Sequence, residues 1–373
     1  MSTQSDVILK QSLRKIEYPL CAKEALGRIV ELICGRITSI KHMDLALDLM
    51  AEFIFYEVDR RGNKRPQIVT PLQELQLLEI MFEYFNSIPN EAARNSVFLS
   101  LFSGTTAMMR SGILSKLISI AVGVSSPVIL LSASTWMQQL GCLSANSCKL
   151  AEALVHDYFY LIPNAKDRLK TLPDICPQFT ANFLTAVAEN YYLNSRKDKM
   201  FPPKILLEVI TMWISENSSL CISAQQKQAA LPPGAIAMEV TTPIAGLLRW
   251  CILAPLYNQE SELYCHLHLA LLNSILEIPQ TVPAKAIYAQ HTIVPISYVM
   301  YYVNDLKNQG LNSEQVLNDE KLQLALDRYA QAIQVALSMK AVYGHVDDLL
   351  NQLQHLPYNK LLNIVVNTHK RIK

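Results

Sequence analysis

The sequence predicts an all-α protein: an irregular α-solenoid of stacked antiparallel helices of the HEAT or armadillo kind, with about seventeen helices. Three observations carry this. Apolar residues make up 50% of the chain and recur at spacings of three and four through long Leu/Ala/Ile-rich segments. Eighteen prolines punctuate those segments, several of them where a helix would begin. Glycine supplies only 11 of 373 residues, well below the average usage of roughly 7%, and a doubly wound α/β fold needs glycines in its phosphate loops and turns. No strict period recurs, so the chain is not a consensus repeat.

The stretch Thr70–Phe85 shows the design most fully. Thr70 is placed to be an N-cap, Pro71 falls at the first helical position, and Gln73 completes a capping box. Leu75, Leu78, Phe82 and Phe85 then form an apolar stripe that Leu72 and Met81 widen. Before it, helices are expected over residues 1–17, over Pro19–Cys34, and from about Ile40 to Val58, followed by a charged, exposed loop from Asp59 to Gln67. After it, Pro89-Asn90-Glu91 opens a helix. Ala145–Leu161 is amphipathic until Pro163-Asn164 stops it, and Pro173–Tyr192 gives another helix. Asn194–Pro203 reads as a connector, Lys204–Ile214 as a helix, and Gln225–Val240, with Pro232-Pro233-Gly234, as a long loop or hinge. Thr242-Pro243 repeats the opening device, and Glu260–Leu276 follows. The β-branched, Pro-bounded stretch up to Tyr302 is the weakest helical segment. Asn312-Ser313 starts a C-terminal group over 322–342, 346–353 and 358–366. The expected organisation is one continuous helical domain over residues 1–373. Its subdivision has N-terminal layers in 1–194, a connector and loop-rich region in 195–240, and C-terminal layers in 241–373.

Charge excludes a strongly basic nucleic-acid reader: 33 basic and 32 acidic residues give a net charge of +1. Basic residues do cluster at Arg60, Arg61, Lys64 and Arg65, at Arg196, Lys197 and Lys199, and at the C-terminus. The first cluster supports an alternative reading as an RNA-binding helical solenoid. The eight cysteines are scattered and no signal-peptide pattern opens the chain, which reads as reduced thiols of the cytosol or nucleus. From Leu117 to Cys148 there is no charged residue. Ser125-Ser126-Pro127 interrupts this run, so it reads as two short covered helices, Ser126 capping the second, and not as a membrane span.

Signatures of chemistry are missing. The chain has no Gly-rich phosphate loop, no GxSxG and no HExxH. Cys265 and His268 share a helix face, but a structural zinc needs four ligands in paired clusters, so neither metal nor cofactor is expected. Asp347-Asp348 fits a first helical turn, where acids favour the helix dipole, and Asp327-Arg328 suggests an internal ion pair. The residues singled out for protein–protein contact are Arg249 and Trp250, because Arg and Trp are typical interface anchors, with Trp136 in the charge-free zone and Arg60 and Arg61 in the basic loop. The competing reading places Trp250 in a layer core with Arg249 snorkelling outward.

Three stretches carry a resemblance to a known family. They are Leu72–Phe85 (Leu-Gln-Glu-Leu-Gln-Leu-Leu-Glu-Ile-Met, then Tyr-Phe), Pro243–Leu256 (Gly-Leu-Leu-Arg-Trp-Cys and Ala-Pro-Leu), and Leu326–Ala336 (Leu-Asp-Arg-Tyr-Ala-Gln-Ala-Ile-Gln-Val-Ala). With these the chain resembles the subunit fifteen family of Integrator, a metazoan nuclear assembly, from about residue 70 onward; the first 60 residues match poorly. Vertebrate members carry a Pro- and His-rich tail and a basic insertion that this sequence lacks between Tyr257 and Glu262. The resemblance implies a non-catalytic, nuclear adaptor. It would link the arm module (subunits ten, thirteen and fourteen) to the scaffold near subunits five and eight, in attenuation of RNA polymerase II transcription and in 3′ processing of small nuclear RNA.

Overall fold

Helix start signals set most of the element boundaries. The computed structural model describes residues 2–35, 40–58, 61, 63, 69–103, 108–162, 164–192, 201–227, 229–231, 234–259, 261–278 and 285–371. The chain forms two compact units, Met1–Leu140 with Ala229–Met238, and Gly141–Gln228 with Glu239–Lys373. Among the described residues both are helical. Their only sheet is a parallel pairing of two residues, Ile287–Tyr288 with Val342–Tyr343.

The first unit contains α1 (Ser2–Leu13), α2 (Cys21–Cys34), α3 (Ile40–Leu49), α4 (Pro71–Ser87), α5 (Glu91–Phe102), α6 (Met108–Gly123) and α7 (Pro127–Leu140). The capping box of α4 forms as expected: Gln73 N–H donates to Thr70 Oγ1, and the Thr70 N–H donates to Gln73 Oε1. Asn90 caps α5 by accepting from the Ala93 N–H at 2.9 Å. The stripe on α4 is rotated from expectation. Leu77, Leu78, Met81 and Phe85 are buried while Leu72 and Leu75 stay exposed, because an apolar arc this wide lets packing on α2, α6 and α7 choose the inward side. Phe85, Phe98, Phe102 and Phe55 form a chain of rings with successive centroids 5.2, 5.0 and 6.0 Å apart.

The charge-free zone folds as two helices, α6 and α7, with Pro127 at the first position of α7. Several of its polar side chains bond inside the unit. Ser132 donates to Asn95 Oδ1 at 2.7 Å and accepts from Arg94 Nε at 3.2 Å, and Asn95 reaches the Ala230 carbonyl at 2.9 Å. Ser126, expected to cap, donates to Asn86 Oδ1. No single helix among the described residues is long and apolar enough to cross a membrane.

The second unit contains α8 (Ala145–His156), α9 (Ala165–Leu169), α10 (Leu172–Ile175), α11 (Pro177–Glu189), α12 (Lys204–Glu216), α13 (Ser223–Gln226), α14 (Ile244–Leu253), α15 (Glu262–Leu276), α16 (Ala289–Asn308), α17 (Ser313–Leu317), α18 (Glu320–Ser338), α19 (Val346–Leu353) and α20 (Lys360–Arg371). Its core forms around α14, which packs against α11, α15, α16 and α18. Every α14 residue except Gly246 is buried. Gly246 is required for that: a Cβ there would lie 2.7 Å from Ala188 Cβ.

Several local expectations are corrected. The stretch before Tyr302 is a regular helix, α16, with Pro295 inside it; packing on α14 and α19 outweighs one lost backbone bond. Thr242 does not cap α14; its hydroxyl donates to the Ala286 carbonyl. Asp327 and Arg328 engage different groups, Asn359 and the Cys251 carbonyl. Two stretches read as plain helix end in π-helical turns, Met50–Ile54 and Asp157–Leu161. The Asn194–Pro203 connector falls outside the described residues up to position 200, as do Pro232 and Pro233.

Replacing Gly246 with Ala raises helix propensity by roughly 0.5–1 kcal/mol, yet forces a contact whose relief costs about 1–3 kcal/mol. The expected result is a lower urea midpoint for Gly246→Ala; an equal or higher midpoint would mean that α14 and α11 are not held this close.

Candidate functional site

Three of the five residues singled out for partner contact face inward. Trp136, Trp250 and Arg249 are buried, which corrects the reading of them as interface anchors. Arg249 does not snorkel either. Arg61 is exposed, and Arg60 lies outside the described residues.

What these side chains do is close helix ends. The last carbonyls of a helix have no intrahelical donor, and burying one unpaired costs about 1–3 kcal/mol. Each of the three tryptophans donates its indole N–H to such a carbonyl: Trp136 to Phe102 at 3.0 Å, Trp213 to Leu169 at 2.9 Å and Trp250 to Ala188 at 3.0 Å, at the ends of α5, α9 and α11. Arginines do the same. Arg110 reaches the Leu101 carbonyl at 3.2 Å and Arg249 the Ala188 carbonyl at 2.6 Å, the latter also contacting Glu189 Oε1 at 3.2 Å. Arg328 donates to the Cys251 carbonyl at 2.8 Å. The donor that carbonyl would meet in a continuing helix belongs to residue 255, a proline without an N–H. The Arg-Trp-Cys, Ala-Pro-Leu and Leu-Asp-Arg-Tyr stretches are therefore parts of one buried hydrogen-bond arrangement.

The described surface offers a different candidate, a groove of about 250 Å³ in the first unit. It runs between the end of α1, the turn into α2, the π-helical turn after α3 and the start of α4. Arg14, Glu17, Tyr18, Cys21, Glu52 and Tyr56 are among its lining residues. Arg14 grips Glu52 bidentately, Nε to Oε1 at 2.6 Å and Nη2 to Oε2 at 3.1 Å. Lys10 pairs with Asp48 one helical turn earlier. Tyr18 donates to the Ile54 carbonyl at 3.0 Å and stacks on Tyr56, centroids 4.7 Å apart. Tyr56 holds φ at 55°, the left-handed region, where a bulky residue persists only when its surroundings enforce it.

The thiol and phenol that line the groove are not activated as nucleophiles. Burial pushes the Cys21 thiol up to about 11 and raises the Tyr18 hydroxyl as well, the wrong direction for a nucleophile at neutral pH. Cys265 and His268 face α18 and contact Arg328 and Gln331, while His266 lies outside near Glu262. Among the described residues no three His, Cys, Asp or Glu side chains are grouped to hold a metal. The groove was missed in the sequence because its pairs span 38 residues. The available signal was a basic pair four apart, Lys10 and Arg14, matched by an acidic pair four apart, Asp48 and Glu52.

Comparison with known proteins places the whole arrangement in a family. A family model described as Integrator complex subunit 15 matches residues 7–358. The Integrator complex subunit 15 of Drosophila melanogaster is 37% identical over 382 residues, 100% of each chain. The Homo sapiens protein of that name is 32% identical over 86% of this chain and 77% of its own length, and the Danio rerio protein 32% identical over 86% and 71%. The match takes in the first 60 residues, upstream of the stretches quoted above, and with them the groove.

Two measurements check this account. Trp136→Phe keeps an aromatic ring but orphans the Phe102 carbonyl, with an expected loss of about 1–3 kcal/mol in unfolding free energy; an unchanged stability would remove the indole from this role. Burial also raises the thiols of Cys148 and Cys176 to about 11 and those of Cys142 and Cys221 to about 12, against an ordinary 9.0. Neutral thiols favour the fold fully up to pH 9, and this contribution is lost as pH climbs from 9 through the folded values of about 11 and 12. Urea midpoints recorded across that range are expected to fall.

Proposed function

The chain belongs to the Integrator complex subunit 15 family, and from that premise we propose that it is a non-catalytic adaptor subunit of Integrator in the nucleus. In this reading it links the arm module (subunits ten, thirteen and fourteen) to the scaffold near subunits five and eight. It thereby serves transcription attenuation by the complex at RNA polymerase II and 3′ processing of small nuclear RNA. Its helices act as solenoid-like layers whose outer faces dock onto partners.

The observation that carries this reading is the direction in which chemistry-bearing side chains are used. Arginines and tryptophans that could reach a substrate close helix ends instead. Burial holds thiols in the neutral form. Exposed apolar side chains remain on the first unit, among them Ile40 on α3 and Leu72 and Leu75 on α4, and apolar surface of that kind suits protein contact.

The test is co-purification. The full chain, tagged and expressed in cells, is expected to recover other Integrator subunits from nuclear extract at physiological salt. Recovery of none of them, with the tagged chain folded by circular dichroism, would sink the adaptor reading.

A further inference from the structure

We propose that the groove between α1 and the start of α4 receives an arginine side chain from an Integrator partner, a claim that rests on the adaptor reading. Size comes first. At about 250 Å³ the groove is smaller than the typical small-molecule pocket of roughly 300–1,000 Å³. That is room for one long side chain and too little for a helix.

Charge decides which side chain. The charged lining residues are Arg14, Glu17 and Glu52. Arg14 is committed to Glu52 through two hydrogen bonds, so the lining carries one net negative charge and Glu17 supplies it. An incoming cation is favoured and an incoming carboxylate is repelled. The stacked rings of Tyr18 and Tyr56 add a π surface, on which a cation gains about 0.5–2 kcal/mol. A guanidinium fits better than an ammonium, because its planar fork matches a carboxylate and its face stacks on a ring.

The rim identifies the source as a protein segment. The lining residue Ile16 is 38% exposed; Leu20, 58% exposed, follows the lining residue Tyr18 by two positions, and Leu72, 65% exposed, precedes the lining residue Gln73. Exposed apolar side chains close in sequence to such a pocket suit a protein partner, and Arg is among the residues enriched at interface hot spots. The recognised element is thus an arginine flanked by apolar residues in an extended partner segment.

Two arms test this with the full chain. In the first, fluorescein-labelled acetyl-Leu-Arg-Leu-amide, and the same peptide with Lys or Glu at the centre, are titrated by fluorescence polarisation. The Arg peptide is expected to bind tightest and the Glu peptide weakest. Glu17→Lys, at an exposed position, and Tyr56→Ala are each expected to weaken Arg-peptide binding at least tenfold, with an unchanged thermal melt for Glu17→Lys. Equal binding of all three peptides, or no effect of Glu17→Lys, overturns the proposal. In the second arm, wild type, Glu17→Lys and an exposed charge-reversal control in the second unit, Glu216→Lys, capture Integrator subunits from nuclear extract. Loss of capture by Glu17→Lys alone supports the groove. Full capture by Glu17→Lys overturns the partner assignment and leaves the adaptor reading standing. If wild type binds the Arg peptide but captures no subunit, the adaptor reading fails while the groove's preference for a guanidinium stands.

Discussion

A helix that ends inside a protein leaves carbonyl oxygens that water cannot reach, and this constraint organises both units. Ordinary surface helices satisfy those oxygens with solvent or a glycine cap. Here the ends of α5, α9, α11 and α14 accept from indole and guanidinium groups carried by other helices. Each such bond fixes a helix end against the flank of another helix. Long apolar faces alone would allow helices to slide; these directional bonds specify one arrangement.

The contact between α11 and α14 concentrates the device. Gly246 brings the two backbones together, and one turn later Arg249 and Trp250 both reach the Ala188 carbonyl. Tyr192, shortly after α11, has φ of 58°, which turns the chain out of the helix there. Tyr191 packs edge-on against Trp250 with centroids 5.5 Å apart. A buried charge is costly unless it is paired and hydrogen-bonded. Arg249 meets that condition through its Nη2, with Glu189 and a backbone oxygen, while its buried Nε has no partner among the described residues; its role as a helix stop explains why it lies in the interior.

A scaffold fixed in this way can present a surface without changing it. The groove lies in the first unit, at elements the same physics makes irregular: a π-helical turn, a left-handed Tyr56 and an ion-paired α1. Such irregularity persists only where surrounding contacts enforce it. The bidentate Arg14–Glu52 pair and the Tyr18 bond to the Ile54 carbonyl are those contacts.

Local signals in the sequence determined the helical class, the capping box at Thr70, the helix start at Asn312, and the division of the charge-free zone at Pro127. These depend on residues three or four apart, which a reader of the sequence can pair by counting. The resemblance to the Integrator subunit 15 family was legible for a related reason: its motifs lie within single helices. Tertiary structure alone decided which face of α4 turns inward, that Arg249, Trp250 and Trp136 are interior, and that Arg14 meets Glu52. Those outcomes depend on partners 34 to 62 residues away. Hydropathy ranks a tryptophan or arginine by its own chemistry; whether it faces a partner protein or an orphaned carbonyl depends on where another helix happens to end.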